Sequence, residues 1–115
     1  NLYLTLKQLT KINSRLVKKL LAKYYKKKID FKKPNDLLIK KKKICGILQE
    51  TIDKLDKKYL IVGIGINLIK SPNINNYPTT NLYDLIKKKI SKKKVEMDLK
   101  KIFENKFKSL INKKK

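Results

Sequence analysis

Two short apolar runs separated by four lysines, answered later by a third run that contains two glycines, constrain this chain more than anything else in it. Lys32–Glu50 reads KKPNDLLIKKKKICGILQE, and Leu60–Leu68 reads LIVGIGINL. Leu37–Ile39 and Ile44–Leu48 are strand-length, and the lysines at Lys40–Lys43 mark a turn, so the pair reads as a hairpin or as adjoining strands. Pro34 has no amide proton to give to a ladder and belongs at a strand end, with Asn35 and Asp36 as corner residues beside it. On that reading Asn35, Asp36, Lys43 and Asn67 lie at strand edges and turns, where polar groups converge on a ligand.

The glycines of Gly63-Ile64-Gly65-Ile66-Asn67 lie inside a β-branched run, not at a strand-to-helix turn. A dinucleotide-binding fingerprint needs another spacing and a following helix, and a P-loop needs a terminal Gly-Lys-Ser/Thr. Neither is present. Gly63 and Gly65 read instead as places where a sheet lets another backbone or a ligand come close.

Charge is the next constraint. The 115 residues carry a formal net charge of +23, contributed by 31 lysines and one arginine against nine acidic residues. Such a balance ordinarily points to nucleic acid or an anionic surface. Here the lysines recur in every segment and form no single tract, which fits solvated faces and weak, salt-sensitive binding to polyanions, not specific nucleic-acid recognition. With 41% hydrophobic residues the chain is not a disordered basic tail. No stretch has the uninterrupted apolar length of a membrane span, and the first residues lack the pattern of a signal peptide. Histidine is absent and Cys45 is the single cysteine, so the chain alone builds no disulfide, zinc cluster or nucleophilic triad. Cys45, between Ile44 and Gly46, reads as a small buried side chain in a chain suited to a reducing cytoplasm.

In chain order, Asn1–Leu6 alternates as a strand would, with Leu2, Leu4 and Leu6 on one face. From Leu9 to Tyr25 the period becomes helical, with Leu9, Ile12, Leu16, Leu20 and Tyr24 on a face widened by Val17 and Leu21. Ile29–Lys33 is a short strand, and Asp53–Lys58 a charged connection into a strand over Tyr59–Leu68. Ser71–Thr80, with two prolines and three asparagines, is a loop. Thr80 or Asn81 then caps a helix whose buried face is Leu82, Leu85, Ile86 and Ile90, and Asp84 is placed in its first turn. Val95, Leu99, Ile102, Phe103, Phe107 and Leu110 mark a last helix. Glu50 either accepts a hydrogen bond from a lysine or finishes its strand.

The ordered set KPNDLLI, KKICGIL and IVGIGIN resembles the catalytic domain of biotin–protein ligases. That family's pattern is Lys-Trp-Pro-Asn-Asp, then a lysine before a small residue and glycine, then Gly-x-Gly-x-Asn. Lys33 stands where the family usually has tryptophan. The resemblance covers roughly residues 1–82. It implies an α+β fold, a mixed and largely antiparallel sheet flanked by helices, as in biotin/lipoate ligases and class II aminoacyl-tRNA synthetases. It also implies that residues 1–115 are the C-terminal portion of such a domain, lacking an upstream glycine- and arginine-rich loop that encloses the adenylate. No DNA-binding winged helix or trailing β-barrel is evident.

The activity implied is ATP-dependent formation of biotinyl-AMP, followed by transfer of biotin to a lysine of a biotin carboxyl carrier protein. Catalysis would fall to Lys43, which reaches the reacting carboxylate and phosphate, and to Asp36. Asn35, Gly46, Gly63, Gly65 and Asn67 would bind biotin and ATP. Mg²⁺ would be held largely by ATP oxygens and water, with no dedicated protein metal site. Lipoate–protein ligase is the alternative enzyme, and a nonenzymatic basic interaction module the alternative of another class.

Overall fold

The computed structural model describes residues 5–74 and 76–113. The first element is α1 (Leu6–Leu21), which begins earlier than its hydrophobic period announces. Thr5 and Gln8 form a capping box: the Thr5 hydroxyl accepts from the Gln8 amide at 3.1 Å, and the Gln8 side chain accepts from the Thr5 amide at 2.8 Å. Two helix-end donors are thereby satisfied, and Leu6 is helical, not part of a strand. The alternation at residues 1–4 lies outside the described residues. Tyr24 and Tyr25 follow the helix instead of ending it.

Four strands follow in simple order: β1 (Asp30–Lys32), β2 (Asp36–Ile39), β3 (Lys42–Lys54) and β4 (Lys57–Ile66). Every neighbouring pair is antiparallel, so the fold is α+β with an antiparallel sheet. The parallel component is one isolated bridge between Lys43 and Thr79. Both long hairpins turn on two residues with positive φ, Lys40 and Lys41 at 52° and 65°, and Leu55 and Asp56 at 51° and 63°. This is the geometry of a primed two-residue turn, normally supplied by Asn-Gly. The lysine turn is therefore only Lys40–Lys41, and Lys43 lies within β3. The charged stretch Asp53–Lys58 is likewise a tight hairpin, not a linker.

Alternation gives the sheet two different faces. Leu37, Ile39, Cys45 and Ile47 point inwards and are at most 1% exposed, while Val62, Ile64 and Ile66 pack against them. Val17, Leu21, Tyr25 and Leu82 close this core from the helical side. A second cluster, Leu16, Leu20, Val95 and Ile102, joins α1 to α3 (Lys92–Lys113). Within the core, fully buried Asn13 donates to Gln49 at 2.7 Å, tying α1 to β3. The short α2 (Leu82–Ile86) is capped by Asn81, whose side chain accepts from the Asp84 amide at 2.8 Å. Among the described residues no helix is long and apolar enough to cross a membrane.

One irregularity in β3 decides what faces outwards. Leu37 pairs with Cys45 but Leu38 pairs with Lys43, so Ile44 is an extra residue in the ladder. Ile44 and Cys45 are both fully buried. The inserted residue reverses the alternation beyond it and brings Lys43 to the outer face, alongside Asp36 and Gly46.

Candidate functional site

The outer face of the sheet carries a cleft of about 310 Å³ lined by Asn35, Asp36, Lys43, Gly46, Ile47, Leu48, Gly63 and Gly65. Six of the seven residues singled out in the sequence thus meet at one place. Asp36 and Gly46 are direct cross-strand partners, and Gly46 in turn faces Gly65 on β4. With no side chain at position 46, the Lys43 chain folds across it: a Cβ there would lie 3.2 Å from both Lys43 Cε and Nζ. The Lys43 ammonium ends 3.4 Å from Asp36 Oδ1, with the two side chains 26% and 14% exposed. The other ion pairs among the described residues are more open, the Lys28–Asp30 and Lys92–Glu96 lysines being more than four-fifths exposed. Lys43 is therefore held, whereas Lys40, Lys41 and Lys42 are exposed turn and strand residues.

The remaining site residue, Asn67, lies just past β4 and adjoins a second cleft of about 250 Å³ that shares Lys43, Gly46 and Gly65 with the first. Its side-chain nitrogen donates to Thr80 O at 3.0 Å and Lys43 O at 3.4 Å, and its backbone nitrogen to Ile44 O at 2.9 Å. Asn67 fastens three segments around Lys43, which leaves only its side-chain oxygen facing any other task. Asn35 holds Ile47 through its carbonyl at 2.9 Å, leaving its side chain on the cleft wall. Glu50 does not finish its strand, since β3 runs on to Lys54, and its side chain is exposed.

Gly63 and Gly65 have no positive φ, and a Cβ at Gly65 would meet nothing within 4 Å. At Gly63 the nearest atom would be Leu48 O at 3.9 Å, an ordinary contact. Neither the backbone nor the packing of this chain requires glycine at either position. The open surface they leave is what a ligand lying flat on the sheet would use.

One contributor was not visible from sequence. Tyr77, in the loop before α2, donates its hydroxyl to Asp36 Oδ2. Its ring lies 5.4 Å from Lys43 Nζ and 4.6 Å from Lys32 Nζ, within reach for cation–π attraction. Hydrogen bonding to Asp36, with burial second, pushes the Tyr77 hydroxyl up to about 12, so it stays a donor at any ordinary pH. A tyrosine in an Asn/Pro-rich loop gives no periodic signal; only its neighbour Pro78 marks the place. Cys45 lies beneath Lys43, fully buried, and burial pushes its thiol up to about 12 against the lowering effect of Lys43. It is core, not a nucleophile. Among the described residues no three His, Cys, Asp or Glu side chains gather as a metal site.

The arrangement can bind an anion at a fixed ammonium on a flat, glycine-floored surface. Comparison with known proteins gives that surface a context. The model of the biotin/lipoate A/B protein ligase family matches residues 4–67, from the start of α1 to Asn67. The apo biotin protein ligase of Aquifex aeolicus superposes with a TM-score of 0.72 at 31% identity, over 90% of this chain and 46% of that one. The same enzyme in complex with biotin and ATP gives 0.71 at 33% identity, over 90% and 44%. P. falciparum LipL1 in complex with lipoate shares the fold at a TM-score of 0.63 and 16% identity, over 87% and 32%. The chain thus spans less than half the length of these solved relatives. No curated protein matches it.

Proposed function

The chain belongs to the biotin/lipoate A/B protein ligase family, and from that membership we propose that it is the C-terminal portion of a biotin–protein ligase catalytic domain. The reaction joins biotin's carboxylate to the α-phosphate of ATP, giving biotinyl-AMP and pyrophosphate, and then passes biotin to a lysine amine of a biotin carboxyl carrier protein. The observation that carries this reading is the Lys43–Asp36 pair laid across Gly46, 3.4 Å apart at the edge of an open glycine floor. It supports adenylation because the two substrates are both anions and must be brought together at one cation.

In this mechanism Lys43 neutralises charge between the carboxylate and the α-phosphate, where negative charge builds as the new bond forms. Asp36 aims the ammonium without competing for the whole of it, since a lysine has three donors. Gly63 and Gly65 let biotin or nucleotide lie against the sheet, and Asn35 and Asn67 offer amides at its two sides. Mg²⁺ fits as an ion carried by ATP. The cleft's one carboxylate is already engaged by Lys43 and Tyr77, so ATP oxygens and water would supply its ligands. The need for ATP and a reduced Cys45 fits a cytoplasmic site of action. Biotin is favoured over lipoate by the 31–33% identity to the Aquifex enzyme against 16% to LipL1.

The test is pyrophosphate release and acyl-adenylate formation by the full-length protein with MgATP and either biotin or lipoate. Biotinyl-AMP formation with much slower turnover of lipoate is expected. Lipoyl-AMP as the main product would reverse the substrate assignment, and no adenylate from either acid would end the ligase reading. This chain by itself should release pyrophosphate weakly or not at all, because biotin and ATP resting on the open face of the sheet are held from one side only.

A further inference from the structure

We propose that Tyr77 is a positioning residue for Lys43, holding the Asp36 carboxylate with its hydroxyl and covering the Lys43 ammonium with its ring. The proposal deepens the ligase reading and rests on it only for the chemistry that Lys43 performs.

The geometry starts where β4 stops. β4 pairs with β3 as far as Cys45 and ends at Ile66, leaving the edge of β3 beside Lys43 unfilled. The segment Pro78–Thr80 takes that edge: the Lys43 amide donates to Pro78 O and the Thr80 amide to Lys43 O, each at 2.8 Å. Thr79 donates to Pro72 O at 2.7 Å, Ile74 and Tyr77 bridge, and Asn67 holds Thr80. Tyr77 is thus carried by a loop fastened to the backbone of the very lysine its ring faces.

Its two ends then act on different atoms. The hydroxyl occupies Asp36 Oδ2 while Oδ1 faces Lys43 Nζ at 3.4 Å, so the carboxylate cannot rotate freely without losing one partner. The ring face meets Lys43 Nζ at 5.4 Å from above, and the bare Gly46 lies beneath the same ammonium. A lysine has four rotatable side-chain bonds and ordinarily samples many rotamers; here a floor, a wall and a roof select one. A catalytic cation fixed before substrate arrives needs no reorganisation as charge develops. Tyr77 lies beyond residues 4–67, the part matched by the family model.

The experiment uses the full-length protein with ¹³Cε-labelled lysine, the Lys43 signal being assigned by Lys43→Arg. Relaxation of the Lys43 ε-methylene should show higher mobility in Tyr77→Phe and still higher mobility in Tyr77→Leu. Unchanged mobility in both overturns the proposal, whatever the enzyme does. In parallel, single-turnover formation of biotinyl-AMP at saturating biotin and MgATP should slow about tenfold in Tyr77→Phe, the scale of one lost hydrogen bond to a charged group. KM values should stay within about twofold, and Tyr77→Phe should add nothing to the loss caused by Asp36→Asn. A structural latch alone would lower the melting temperature, raise KM and add fully to Asp36→Asn, and that result also overturns the proposal. A wild-type protein that forms no adenylate defeats the ligase reading instead, and the mobility measurement then decides on Tyr77 alone.

Discussion

The two faces of β3 put opposite demands on the same strand. Inwards, Cys45 and Ile47 fill volume against α1 and are at most 1% exposed. Outwards, Gly46 faces Asp36 and Gly65, Leu48 faces Gly63, and Leu48 itself is 73% exposed. One face is selected for what it contains and the other for what it leaves empty. The emptiness is of two kinds. Gly46 makes room for a side chain of this protein, Lys43, whereas Gly63 and Gly65 make room for nothing the chain possesses. In the proposed mechanism that difference separates the residue that arranges the cation from the residues that would admit its ligand.

The largest expected effects come from breaking each face separately. Lys43→Ala in the full-length protein should slow single-turnover adenylation on the order of a hundredfold or more, about 3–4 kcal/mol of transition-state stabilisation. Its folding stability should change by less than about 1 kcal/mol, since the pair stays in touch with solvent and Asp36 keeps the Tyr77 hydroxyl as a partner. Ile47→Ala should do the reverse, costing about 2–5 kcal/mol of stability through the cavity left in the core. Lys41→Ala, on the exposed turn, is the control and should alter neither. An adenylation rate in folded Lys43→Ala equal to wild type would remove the cation from the mechanism and leave the two faces equivalent.

The glycines sharpen the same comparison at a smaller scale. Gly46→Ala puts a Cβ 3.2 Å from Lys43 Cε and Nζ, so the flexible lysine must yield. We expect an adenylation rate reduced about tenfold, roughly 1.4 kcal/mol. Gly65→Ala meets no atom of the chain, and should leave stability unchanged or raise it by about 0.4–1 kcal/mol through the unfolded state. Its cost should appear in KM for biotin or ATP. Unaltered KM values in Gly65→Ala would show that the open floor is not where the ligand lies.

Much of this was legible before any coordinates. Leu37–Ile39, Ile44–Leu48 and the GIGIN run are strands, and their polar neighbours do converge, because hydrophobic length and turn residues act locally. Three features escaped for physical reasons. The start of α1 was masked because Leu2, Leu4 and Leu6 alternate as a strand does, while the decisive signal is the Thr5–Gln8 capping pair. The hairpin at Leu55–Asp56 was hidden because a leucine, unsuited to positive φ, takes its first position and no glycine takes its second. The bulge at Ile44 has no sequence signature, yet it alone decides that Lys43 faces Asp36 and not the core. Three ordered motifs named the residues that meet at the cleft; the irregularity that brings Lys43 among them is a property of pairing.

Since the hairpin tip touches neither face, its repair should change stability without changing either chemistry. Leu55→Asn with Asp56→Gly supplies residues that accept left-handed φ, and should stabilise by about 1 kcal/mol with no effect on adenylation. A stabilisation accompanied by a changed rate would mean that the far end of β3–β4 communicates with the cleft, and the faces could no longer be treated as independent.

The finest test sets two tyrosines against each other, one on each side of the sheet. Tyr24, just past α1, donates to Asp98 Oδ2 of α3 at 2.8 Å, as Tyr77 donates to Asp36 on the outer face. Burial first, then the Asp98 hydrogen bond, pushes the Tyr24 hydroxyl up to about 12 from an ordinary 10.0. The folded state therefore keeps a proton that the unfolded chain gives up from about pH 10. Binding more protons folded than unfolded means that stability falls as pH rises through that interval. The contribution of Tyr24 is complete below pH 10 and is lost on approaching 12. Tyr24→Phe should accordingly destabilise by about 0.5 kcal/mol at pH 8, the low end for a hydrogen bond whose donor stays partly in water. That deficit should shrink between pH 10 and 12. Lysine deprotonation over the same range affects both proteins and cancels in their difference. The adenylation rate of Tyr24→Phe should equal wild type, because Asp98 braces two helices and touches no part of the cleft. A stability difference that stays constant from pH 8 to 11.5 would show that the deficit is not tied to the proton of the Tyr24–Asp98 hydrogen bond.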